Sequence, residues 1–151
     1  MKRILLLSTI LVANFMFANE IKGNQEFKKI VVEESRIQQR ATAAEKAKIY
    51  LEKRFANYDK ELCEKAEQEV HALGIAICRA KAGEINSSLL VLDNLVEIKY
   101  PKAYCLRTVI RLMDKKEDSL SKTSKDVMFS KSNGIELTEE CLAGYAIATA
   151  K

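Results

Sequence analysis

Among the side chains of this sequence that could do chemistry, four cysteines stand out: Cys63, Cys78, Cys105 and Cys141, separated by 15, 27 and 36 residues. A zinc site would want two ligands within a turn of one another, as in a Cys-x-x-Cys knuckle. No such pair exists, and His71, the single histidine, would have to complete a site by accident of folding. Oxidation to two disulfides is the chemistry the pattern predicts, provided the chain reaches an oxidising compartment. The sequence contains no His-Glu-x-x-His, no Gly-x-Ser-x-Gly and no glycine-rich phosphate loop. Glu67 and His71 stand four apart, the spacing of a ligand pair or a polarised base on one helix face, but that spacing equally serves an ordinary surface pair. The adjacent carboxylates Glu33-Glu34 and Glu139-Glu140 would point in different directions in a helix, and the second pair fits as favourable charge at a helix N-terminus. No catalytic residue, metal ligand or cofactor site is therefore assigned, and the chain reads as non-enzymatic.

The first residues bear on the compartment. Lys2 and Arg3 precede an apolar run over residues 4–17, broken only by Ser8, Thr9 and Asn14, and Ala18 gives way to polar sequence. This is the pattern of a secretory signal peptide, since a run of about fourteen residues is shorter than the ~20 needed to span a bilayer. Cleavage after Ala18 predicts a periplasmic or secreted chain with no transmembrane segment, and removes two basic residues from a formal charge of only +4. Charges of both signs are interleaved along the rest, and no aromatic series accompanies them, which excludes a phosphate-tracking or base-stacking surface. With 48% apolar residues, 30% charged and one proline, collagen-like and disordered readings are excluded as well.

The elements that would position these residues are helices. Residues 24–82 hold no proline and one glycine, Gly74, and apolar or small side chains recur at helical spacing through Ile30, Ile37, Ala44, Leu51 and on to Ile77. An unbroken helix of that length would run roughly 90 Å, so a break is expected near residues 57–59, with Asn57 or Asp59 capping the next helix. Asn86 then offers a cap for a central, largely buried helix carrying Leu89, Leu92, Leu95 and Val96. Pro101 opens the following helix, with Tyr104, Leu106, Val109, Ile110 and Met113 on one side. Residues 117–134, polar and rich in Ser and Lys, are expected to form a loop with at most a turn around residues 126–129. A final helix over residues 138–150 presents Leu142, Tyr145 and Ala146. The expected architecture is all-α: a signal peptide (residues 1–18), a long N-terminal helix (19–57) and a small disulfide-stapled helical bundle (58–151).

This arrangement constrains the sulfur pairing. If Cys63 and Cys78 share one helix, fifteen residues separate them by about 22 Å, whereas a disulfide tolerates about 4.4 to 6.8 Å between Cα atoms. In an up-and-down bundle Cys63 and Cys105 then fall at one end, and the loop after Lys116 returns Cys141 towards Cys78. The predicted bridges are Cys63 with Cys105 and Cys78 with Cys141.

Residues 84–88, Glu-Ile-Asn-Ser-Ser, also match the acidic-x-Asn-x-Ser acceptor pattern of some Gram-negative N-glycosylation systems, which makes Asn86 a candidate modification site beside its capping role. Gly83, Leu89, Leu92 and Pro101 resemble the second helix of a tetratricopeptide or Sel1-like repeat. Cys78-Arg79-Ala80-Lys81-Ala82, Ala103-Tyr104 and Cys141-Leu142 resemble the pattern of small periplasmic immunity proteins that neutralise type VI amidase effectors; that resemblance implies an exported, α-helical, disulfide-bonded inhibitor. The function expected is that of an exported protein-binding module of the Gram-negative envelope. The alternatives are an immunity protein against a peptidoglycan amidase, and a self-associating structural component using the stripe from Ile30 to Phe55 as a coiled-coil seam. The expected contact surfaces are that stripe and the charged segment carrying Lys115, Lys116, Lys122, Lys125 and Phe129.

Overall fold

The computed structural model of the chain describes the backbone of residues 2–150 and the side chains of residues 25–150 other than Phe27. The expected leader and its cleavage point after Ala18 lie outside the described side chains. Among the described residues there are seven helices and no strand: α1 (Lys2–Arg54), α2 (Lys60–Gln68), α3 (Ala72–Lys81), α4 (Ile85–Glu97), α5 (Pro101–Met113), α6 (Ser119–Ser132) and α7 (Glu139–Thr149). The chain is the all-α, disulfide-stapled fold its sequence predicts.

It divides into two units, Met1–Gln38 and Gln39–Lys151. In the first, Ile30, Val31, Val32 and Ile37 of α1 are exposed. In the second, Ala43, Ala44, Ala47 and Leu51 of α1 are buried, so the packed bundle begins well before residue 58. Leu51 shares a core with Ala76, Ile77, Leu92, Leu106 and Ile110, and Ala47 lies against Val109, Leu112 and Ala148. Over residues 43–51 the chain's own α3, α5 and α7 cover the alanine-lined stripe, while Ile30 and Ile37 of the same stripe are exposed. Each fully buried Leu or Ile there contributes about 1.5 to 3 kcal/mol.

The central helix is α5 rather than the predicted α4. Ala103, Tyr104, Cys105, Leu106, Thr108, Val109, Ile110 and Leu112 are buried around its whole circumference, while α4 buries only Ser88 and Leu92. Helices α4, α6 and α7 pack on α5, α3 packs on α4, and α2 packs on α3.

The break after α1 falls where it was expected. Asp59 caps α2 by accepting from the Leu62 amide at 2.9 Å, and Lys81 donates to the carbonyls of Phe55 and Tyr58 in the turn that follows α1, the first of which also accepts from the Tyr58 amide. A second break, at residues 69–71, was not expected. Val70 adopts a left-handed conformation (φ 54°), and the His71 amide closes on the Ala66 carbonyl at 2.8 Å. The same wide turn ends α3 at Gly83, α4 at Lys99 and α6 at Gly134. The predicted loop over residues 117–134 is instead mostly helix α6. Its buried face, Ser119, Thr123, Val127 and Ser130, has helical spacing but is built largely of hydroxyls that bond to carbonyls: Thr123 to Thr108 at 3.1 Å, Ser119 to Lys116 at 2.8 Å and Ser130 to Asp126 at 2.9 Å. In α7, Cys141, Gly144 and Ala148 face inward, and the predicted inward residues Leu142 and Tyr145 are exposed.

Candidate functional site

The bridges are Cys63–Cys78, with Cα atoms 5.7 Å apart, and Cys105–Cys141, at 4.3 Å. All four cysteines are paired, but both predicted pairings are wrong, and the two misread segments explain why. The turn at Val70 folds α2 back on α3, which brings Cys63 opposite Cys78. Helix α6 carries the chain back along α5, so α7 starts beside the start of α5 and Cys141 meets Cys105. Helices α5 and α7 then run parallel, with Gly144 against Thr108 and Ala148 near Val109 and Leu112. A Cβ at Gly144 would stand 2.5 Å from the Thr108 hydroxyl, so only glycine permits this approach.

The predicted contact residues do not form one surface. Lys116 pairs with Asp114 at 2.8 Å and donates to the Asn86 side chain at 3.3 Å, and Lys122 pairs with Asp118 at 2.6 Å. These residues share a polar cleft with Asp93 and Arg111, where three basic and three acidic groups balance. The hydrogen bond from Lys122 outweighs the effect of burial and holds the Asp118 carboxyl below its ordinary value. Lys115 is an exposed turn residue with φ 57°, and Lys125 is exposed on α6. Phe129, half exposed, stacks on Tyr104 with ring centroids 6.1 Å apart. Asn86 is exposed within the first turn of α4, and the cap position belongs to Glu84, which makes no side-chain capping bond. Glu67 and His71 lie on different elements: Glu67 pairs with Arg79 at 3.3 Å, while His71 caps α3 by accepting from the Gly74 amide at 3.1 Å.

The feature that sequence reasoning missed is a groove where the end of α1 meets α3 and the starts of α5 and α7. Phe55, Tyr58, Leu73 and Tyr100 supply its apolar lining, and Arg54, Lys102, Glu139 and Glu140 its charged rim. Phe55 and Tyr58 meet edge to face with centroids 5.9 Å apart, and the Arg54 guanidinium lies 5.7 Å from the Phe55 ring. Arg54 Nε lies 3.1 Å from Glu140 and 3.5 Å from Glu139. Burial alone would push the Glu140 carboxyl up, but bonds from Thr138, from its own amide and from Arg54 hold it below its ordinary value. Glu140 in turn raises the affinity of Arg54 for its proton. Behind this pair, burial and the nearby charges of Glu140 and Glu139 push the Tyr50 hydroxyl up to about 12. The one sequence signal for this site was the Glu139-Glu140 pair, which does begin α7.

Among the described residues, no group of His, Cys, Asp and Glu is placed to hold a metal ion, and no helix is long and apolar enough to cross a membrane. Compared with known proteins, the chain matches no family model, no curated protein and no solved structure.

Proposed function

We propose that the chain is an exported, non-enzymatic helical module that binds another protein, and that the groove between α1, α3, α5 and α7 receives an apolar side chain of that partner. The observation that carries this reading is the composition of the groove: Phe55, Tyr58 and Tyr100 lie within a rim whose two basic and two acidic groups, Arg54, Lys102, Glu139 and Glu140, cancel. Aromatic anchors bordered by polar groups are typical of protein interfaces, and a neutral rim favours an apolar anchor over a charged one. The two disulfides and the leader-like start support export.

The test is a crosslinked pull-down from the native envelope with the wild-type chain and Tyr100→Ala, followed by affinity measurement on any partner recovered. Tyr100 is 40% exposed, so its truncation leaves the fold intact, to be checked by thermal melting. The expected result is a one-to-one partner whose affinity falls about tenfold or more in the variant. Equal binding by both chains would overturn the groove assignment. Recovery of a peptidoglycan amidase that loses activity in the complex would make the chain an immunity protein. A second reading, self-association, is favoured by the exposed Ile30, Val31, Val32 and Ile37 on α1. Under it, light scattering shows an oligomer that Ile30→Lys with Ile37→Lys dissolves.

A further inference from the structure

Besides the disulfide, helix α2 is held to α3 by one buried side chain and one partly exposed ion pair, Glu67 with Arg79. Its nine residues bury one side chain, Ala66, and its main packing partner is α3. A helix of that length is not stable alone in water. The bridge that holds it, Cys63–Cys78, is half-buried on both sides and lines an open groove, whereas Cys105 and Cys141 are both 0% exposed. Thiol–disulfide exchange needs the attacking thiolate to reach a sulfur, so the two bridges differ in the property that governs their reactivity. The groove also carries a charge: Asp59, Glu64, Glu67 and Glu84 face Lys60 and Arg79, an excess of two negative groups. Lys60 pairs with Glu64 at 3.8 Å and Arg79 with Glu67 at 3.3 Å, which leaves Asp59 and Glu84 to supply the excess.

We propose that the Cys63–Cys78 bridge is a site of thiol–disulfide exchange that takes neutral or cationic thiols and dithiols, and that its opening releases α2 while Cys105–Cys141 stays closed. A dithiol reacts in two steps. One of its thiolates attacks a sulfur of the bridge, the Cys63–Cys78 bond breaks, and the other cysteine leaves as a thiolate that takes up a proton. The second thiol of the reagent, as its thiolate, then attacks the reagent's sulfur in the mixed disulfide and expels the remaining cysteine as a thiolate that takes up a proton, so that the protein gains two electrons and two protons and the reagent is oxidised to a cyclic disulfide. Anionic thiols are disfavoured because they bring further negative charge towards Asp59 and Glu84.

Three measurements on the full oxidised chain test this. First, the chain is treated with limiting dithiothreitol and alkylated, and the labelled positions are read by mass spectrometry. Cys63 and Cys78 should be labelled about tenfold faster than Cys105 and Cys141, or more; equal rates or the reverse order would overturn the assignment of the site. Second, hydrogen exchange after this selective reduction should show the amides of α2 losing protection while those of α5 keep it; unchanged protection in α2 would overturn the release. Third, the rates with cysteamine and with 2-mercaptoethanesulfonate are each divided by that reagent's rate on a small exposed disulfide. At low salt cysteamine should be favoured about threefold or more, with the preference shrinking at high salt and in Glu64→Gln with Glu84→Gln. The absence of any preference would overturn the charge selectivity.

Discussion

The two bridged helix pairs use the same covalent bond in opposite ways. Cys105–Cys141 lies in a sealed seam where α5 and α7 approach closely, with Thr108 against Gly144 one turn further on and Val127 packed alongside. Cys63–Cys78 sits at an edge, beside an open groove, and fastens a helix with one buried side chain. In the seam, the bond and the packing secure the same contact. At the edge, the bond substitutes for packing that α2 lacks. A disulfide's importance to a fold thus depends on how much else holds the same two elements together.

The sharpest test of that contrast removes each bridge in turn. Cys105→Ala with Cys141→Ala opens a 36-residue loop and should cost about 4 kcal/mol, seen as a drop in the global denaturation midpoint. Cys63→Ala with Cys78→Ala opens a 15-residue loop, worth about 3 kcal/mol in chain entropy. That loss should appear mainly as exchange of α2 amides, with the midpoint of the rest of the bundle little moved. Equal global losses would dissolve the distinction. Gly144→Val, which drives a side chain into Thr108, should cost about 3 kcal/mol by forcing α5 and α7 apart, and a double-mutant cycle with the Cys105–Cys141 pair should show coupling. The edge hairpin responds in the other direction to Val70→Gly. Val70 is 77% exposed and holds a left-handed backbone that a β-branched residue adopts under strain, so the substitution should stabilise the α2–α3 turn by about 1 kcal/mol, measured by hydrogen exchange. The smallest effect is pH-dependent. Because the Glu140 carboxyl is held below its ordinary value of about 4.5, its bonds with Thr138 and Arg54 contribute stability above that pH, and the contribution disappears as acidification passes the lowered value. Glu140→Gln should therefore flatten the acid limb of the stability curve below about pH 4.5 while leaving the exchange of α2 unchanged.

The limits of sequence reading fall along the same division. Helical class, the break before Asp59, the start of α5 at Pro101 and the start of α7 at Glu139 all carry local signals: a capping carboxylate, a proline at a first turn, acidic residues at an N-terminus. The turn at Val70 carries none. Where α3 and α6 end, Gly83 and Gly134 supply the left-handed residue, but here a valine does so, and the side chain that caps the next helix is His71, an unusual cap. Helix α6 was hidden for a different reason, since its buried face is made of Ser119, Thr123 and Ser130 and has helical period without hydrophobic contrast. These two omissions sufficed to exchange the cysteine partners, because each segment reverses the chain once. The groove was illegible because Arg54, Phe55, Tyr100 and Glu140 come from three widely separated stretches, and nothing local announces that they meet.

The 36-residue loop closed by Cys105 and Cys141 contains the whole of α6. That part of the polypeptide is a macrocycle, and Lys122, Lys125 and Lys131 all lie exposed within it. A protease cutting after any of them adds one water to the mass yet leaves both ends of the scission tethered through sulfur. A nicked molecule would migrate as a single species until a reductant is added, and a processing event would pass unseen on a non-reducing gel.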